Sequence, residues 1–203
     1  SIEARDRAAG GRGSSSGAAL DTSVKFARVL GRAGPPLRQT VQVDTPVVGF
    51  RQWQVYGNRL GSPARRLTWS VPVTDAQCLL GRAHAAPAAE CSCGLYARHR
   101  ADPSWRGTVT SQRTAYGAVL AFGRILRHGG LGFRAQRARV LALAVPHEAA
   151  IKSIFCLSCP CTAFWLAEME ALEILANRCG VPLIPISELE RFSLGYGQSI
   201  ETL

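Results

Sequence analysis

Residues 118–126, Ala-Val-Leu-Ala-Phe-Gly-Arg-Ile-Leu, and residues 133–145, Phe-Arg-Ala-Gln-Arg-Ala-Arg-Val-Leu-Ala-Leu-Ala-Val, stand either side of Gly129-Gly130-Leu131-Gly132. The first run is short, apolar and bounded by turn residues, which reads as a buried strand. The glycines make a tight connection, and the second run returns as a longer strand, giving a β-hairpin. Phe133 and Ala135 fall on one side of it, while Ala138, Val140 and Ala142 fall on a face shifted by one residue. A shift of that kind predicts a β-bulge near Gln136 or Arg137.

The same pattern extends upstream. Val41 onward reads as strand, with imperfect alternation through Val48, Phe50, Trp53 and Val55 and a turn signal at Gly57-Asn58. Residues 66–73, centred on Leu67 and Trp69, are expected as the partner strand, and Leu95 to His99 as the opening of a short helix. Helical spacing emerges only late, at Trp165, Met169, Leu172 and Leu175/Ala176, with Thr162 as the expected N-cap and Gly180 as the stop. Val181 to Pro185 reads as extended. Ser187 and Glu190 have the spacing of a capping box for a last helix ending near Leu194. The fold class is therefore α+β: an antiparallel β-rich body, a zinc-type Cys/His loop and C-terminal helices. Residues 1–40 are expected as a disordered or weakly ordered tail, 41–147 as the body and 148–203 as a helical region packed on it. The Gly/Ser-rich start cannot bury enough apolar surface to order itself.

Charge is unevenly spread over the 203 residues. The formal net charge is +10, made of +14 over residues 1–147 and −4 over residues 148–203. A basic body suggests a polyanionic partner, nucleic acid first. Only Lys25 and Lys152 are lysines, so 22 of the 24 basic residues are arginine. That skew, with abundant Ala, Gly and Pro, is also what codon bias in a GC-rich genome produces. Within the hairpin Arg124, Arg127, Arg134, Arg137 and Arg139 could line a ribbon against a groove, with Arg137 and Arg139 on one face.

Four soft-metal ligands, Cys78, His84, Cys91 and Cys93, lie within sixteen residues, with five, six and one residues between them. Thiolate sulfur and imidazole nitrogen both suit Zn²⁺, and a loop of this length can wrap one tetrahedral ion. Gly94 follows directly and tolerates the positive φ that turns amides toward thiolates. An iron–sulfur cluster is a weaker fit, since no ferredoxin-type run is present. Buried, unligated thiols are the plain alternative.

A second group, Cys156, Cys159 and Cys161, precedes the late helix, where the dipole favours thiolate; it raises a dithiol redox reading. The four histidines are scattered and no Gly-x-x-x-x-Gly-Lys phosphate loop is present, so the chain reads as a binding protein rather than an enzyme. No signal-peptide pattern or long apolar run is visible, which sets the expectation of a cytoplasmic protein. Two further readings stand beside nucleic-acid binding. One is a protein-interaction or regulatory module using the acidic C-terminal region at Glu168 and Glu173; the other is a thiol redox or iron–sulfur protein.

One set of motifs resembles a known family. Gly49-Phe50-Arg51-x-Trp53, Trp69, Cys78, His84-x-x-Pro87, Cys91-x-Cys93-Gly94-Leu95-Tyr96-Ala97, Gly117-x-Val119-x-x-x-Gly123-Arg124 and Arg134-Ala135 look like a group of small actinobacterial proteins of uncharacterised function. The resemblance spans roughly residues 46–145 and is most specific at Cys-x-Cys-Gly-Leu-Tyr-Ala. It implies a high-GC actinobacterial source or an associated phage or plasmid, and carries no activity with it. The cysteines at 156, 159 and 161 and the Gly/Ser-rich start depart from that pattern.

Overall fold

The computed structural model describes residues 40–63, 67–104, 114–145 and 160–202. Strands β1 (Thr40–Tyr56), β2 (Arg59–Gly61), β3 (Thr74–Asp75), β4 (Leu95–Arg98), β5 (Thr114–His128) and β6 (Gly132–Val145) come first. Helix α1 (Pro160–Cys179), β7 (Leu183–Pro185), α2 (Leu189–Leu194), β8 (Gln198–Ser199) and a 3₁₀ turn (Ile200–Thr202) follow.

Three long antiparallel strands carry the structure: β1 pairs with β5 from Thr40↔Leu126 to Gln54↔Thr114, and β5 pairs with β6. The free edges of β1 and β6 then meet through β4, which pairs with Gly132–Ala135 on β6 and through Arg98 with Phe50 on β1. The ladders β1–β5–β6–β4–β1 thus form a closed ring, a small barrel that removes most sheet edge. The remaining edge of β6 is taken by β3 and β7, and that of β1 by β8 and β2.

The expected hairpin is β5–β6, and the irregularity lies where the pattern pointed but on the other strand. Pairing passes from Phe122↔Arg137 to Ile125↔Ala135, so Gly123 and Arg124 bulge opposite Gln136. Gly123 takes φ +77°, and the Gln136 side-chain carbonyl accepts the Arg124 amide at 3.1 Å. A second irregularity leaves Leu141 unpaired, so Ala142 faces away from Ala138 and Val140.

Burial on both sheet faces explains why the apolar runs are continuous rather than alternating. One face packs Val47, Trp53, Val119, Ile125, Phe133 and Ala135 with Leu172 and Leu175 of α1. The other packs Phe50, Tyr116 and Leu120 with Ile186 and Leu189. The ring is narrow: a Cβ on Gly49 would sit 2.6 Å from both the Ala97 Cβ and the Phe133 Cζ.

Several expectations change. The hairpin partner of β1 across Gly57-Asn58 is β2, not the expected 66–73 segment; that segment instead meets β2 at the Gly61↔Thr68 bridge, with Ser62 donating to Leu67 O and Trp69 to Leu60 O, both at 2.8 Å, before Pro72, which has no N–H to donate. Residues 95–98 form β4 rather than helix, because Leu95 and Ala97 are buried in alternation with half-buried Tyr96 and Arg98. Helix α1 begins at Pro160, a favoured first-turn residue, so Thr162 lies inside it rather than capping it. It ends as expected: Gly180 (φ +64°) donates to Asn177 O and Val181 to Ala176 O, a Schellman stop. The capping box does not form; α2 starts after Glu188 without a side-chain cap, and Glu190 instead accepts the Ala101 amide at 2.8 Å. The C-terminal region is also more than helical, since β7 and β8 add parallel strands to β6 and β1. Of the expected tail, residues 1–39 lie outside the described residues.

Candidate metal centre

The loop between β3 and β4 brings the four expected ligands together. The donor atoms of Cys78, His84, Cys91 and Cys93 all lie within 4.8 Å of one another, so the cluster can hold a metal ion. Cys78 Sγ and Cys91 Sγ are 3.8 Å apart, far beyond the roughly 2 Å of a disulfide. His84 Nε2 is 3.2 Å from Cys93 Sγ. Cys91 and Cys93 are buried and the other two half-buried, against a small apolar patch of Ala76, Ala86 and Ala88.

Little else orders this loop. Gly81 donates to Cys78 O at 3.2 Å, His84 to Arg82 O at 2.9 Å and Cys91 to Ala88 O at 3.2 Å. Burial pushes the Cys91 thiol up, but the Cys93 amide, the Cys93 and Cys78 thiols and the Arg82 charge outweigh it, so its pKa falls below the ordinary value. Cys93 moves the other way, raised by burial and by the neighbouring Cys91 and Cys78, against an Ala88 amide. Gly94 is needed for its backbone and its size: φ is +120°, and a Cβ there would come within 3.0 Å of the Arg134 and Pro87 Cβ atoms.

The main finding beyond the ligands is Arg134. It is 2% exposed, and one terminal nitrogen donates to the carbonyls of both Cys91 and Cys93, the latter at 2.8 Å. Its Nε donates to His128 Nε2 at 2.6 Å, and its guanidinium lies 5.6 Å from the Tyr96 ring centroid. Tyr96 in turn stacks on His128, with centroids 6.2 Å apart. Carbonyls held this way fix the orientation of the two thiols that precede them, as outer partners do in metal sites. The sequence sets Arg134 among the arginines of a ribbon facing nucleic acid; the structure buries it against the metal loop instead, which the alternation about Phe133 and Ala135 does not signal.

The five hairpin arginines therefore do not act as one row. Arg134 is enclosed. Arg137 is exposed but pairs with Asp75 at 3.0 Å and covers Phe122. Arg139 is exposed on the same face as Arg137, while Arg124 and Arg127 are half-buried. Of the second cysteine group, Cys156 and Cys159 lie outside the described residues, and Cys161 sits in the first turn of α1. Cys179 closes the same 20-residue helix, about 27 Å away, and burial pushes its thiol up.

Comparison with protein-family models, curated proteins and solved structures returns no match. Among the described residues no helix is long and apolar enough to cross a membrane.

Proposed function

We propose that this chain is a zinc-stabilised β-barrel binding protein rather than an enzyme, with nucleic acid as its partner. The observation that carries the metal reading is the convergence of Cys78, His84, Cys91 and Cys93. For bonds of about 2.3 Å, the edge of a tetrahedron of sulfurs is about 3.8 Å, the separation found between Cys78 and Cys91. A span of 4.8 Å suits one ion better than a polynuclear cluster, whose thiolates must reach around several irons. Four protein ligands also leave no open position, the arrangement of a structural rather than a catalytic site.

The partner reading rests on charge. The described residues hold 12 Lys+Arg and 10 Asp+Glu, a net +2 out of the chain's +10. Most of the excess thus belongs to residues outside the described ones, and they, with exposed Arg139, are the proposed contacts. The metal-held barrel would serve as the scaffold.

Metal analysis of the full chain beside a Cys91→Ser/Cys93→Ser variant tests the first half. The expected result is one zinc per wild-type chain and none in the variant, with a stability loss on the order of 4 kcal/mol, or about 8–16 °C in melting temperature. Binding of the same wild-type sample to DNA or RNA tests the second half, and should weaken steeply with added salt as counterions are released. Zinc without salt-sensitive binding would leave a metal-stabilised module for a protein partner.

A further inference from the structure

Across β4 from the metal loop, the barrel encloses a second arginine. Arg51 is 6% exposed; it donates to the Tyr96 carbonyl and, at 3.0 Å, to Ser62 Oγ. Its guanidinium lies 4.8 Å from the Trp69 ring centroid, and Trp53 meets Trp69 edge to face at 5.4 Å. Three buried donors in this one cluster have no hydrogen-bond partner: Arg51 Nε, Trp53 Nε1 and Trp69 Nε1. No described carboxylate forms an ion pair with Arg51. Burial, only partly offset by Tyr96, holds its pKa down to about 9, the direction expected of a cation without a counter-charge.

A buried cation is costly unless paired, and native folds seldom leave buried donors without acceptors. Trp69 also walls a cavity of about 290 Å³ whose other polar lining includes Arg59, Thr68, Ser70 and Arg178 and no acidic residue. Two arginines and two hydroxyls line this cavity, and the Trp69 ring that walls it carries Arg51 on its face and an unpartnered N–H at its edge, a set that suits negatively charged oxygen.

We propose that this cavity binds an oxyanion, the phosphate or carboxylate group of a small ligand, between Arg59 and Arg178, with the Trp69 indole N–H turning to it and Arg51 behind supplying charge. The site is separate from the metal centre and does not depend on it.

The test is a titration of the full chain with inorganic phosphate, with acetate and with chloride at matched ionic strength, reading melting temperature and tryptophan emission. Saturable stabilisation by phosphate or acetate beyond that by chloride is expected, and which of the two acts identifies the group. An Arg59→Ala/Arg178→Ala variant should bind at least ten-fold more weakly; Trp69→Phe, which keeps a ring but removes the N–H, should also weaken binding. Both should retain the wild-type metal content. A response no greater than that to chloride, or one unchanged in the double arginine variant, would overturn the proposal.

Discussion

The β5–β6 hairpin and the Cys78–Cys93 loop lie against each other and are ordered by opposite means. The hairpin is held by main-chain ladders and apolar side chains on both faces, with Ala118, Val119, Leu120, Ala121, Ile125 and Leu126 at most 1% exposed. The loop has few main-chain hydrogen bonds and a small apolar patch, and its order converges on four side-chain atoms. Repetition makes the first tolerant, because each pair is one of many. The second is intolerant, because each ligand is a quarter of the site. Arg134 belongs to both: its backbone is in β6 and its side chain grips the loop.

Cutting that connection should give the largest effect. Arg134→Met keeps the length and apolar stem but leaves the Cys91 and Cys93 carbonyls without their donor, at about 1–3 kcal/mol for each buried group. Metal affinity, measured by competition with a chromophoric chelator, is expected to fall 10–100-fold, while far-ultraviolet circular dichroism of the sheet changes little. Equal loss of sheet signal and metal would mean that loop and hairpin form one cooperative unit.

Gly94→Ala probes the same junction more gently. The positive φ and the 3.0 Å approach to Arg134 and Pro87 predict a loss of about 1–2 kcal/mol in chemical denaturation, with metal retained. The smallest effect should come from the barrel rim. His99 is 7% exposed and stacks on Phe133; burial lowers its pKa, against the Gly132 backbone and Glu201, with Arg127 and Arg100 adding to the lowering. The folded state thus binds its proton less readily than the unfolded chain. Stability from this group is full above about pH 6.5 and declines as pH falls from there toward the lowered value. Comparing urea midpoints of wild type and His99→Phe from pH 7.5 to 5.5 should show a shallower decline in the variant.

The sequence made the two regions legible in different ways. Strand and turn were readable wherever period and punctuation agreed, as at Gly129-Gly130 and Gly57-Asn58. The ligands were readable because Cys and His carry their chemistry whatever the local backbone does. What escaped was the joinery. Residues 95–98 are too few for periodicity to separate helix from strand, and their role depends on partners far along the chain. Arg51 and Arg134 were hidden by the prior that arginine is exposed, which fails where carbonyls and ring faces receive the guanidinium. The bulge was visible as a phase change in β6, but a phase change cannot say which strand carries the extra residue.

The single Phe50↔Arg98 pair that completes the ring has a consequence for time rather than energy. Strands β5 and β6 are joined by a three-residue turn and can zip locally, on the scale of microseconds. The β4–β6 ladder must bring Arg98 to Gly132, and β1 must then reach from Phe50 to Arg98 and from Gln54 to Thr114. Loop-closure entropy therefore favours the hairpin first, β4 on β6 next and the β1 seams last, since the longest loops close late. Until those final seams are made, the open edges of β4 and β5 are exposed to other chains.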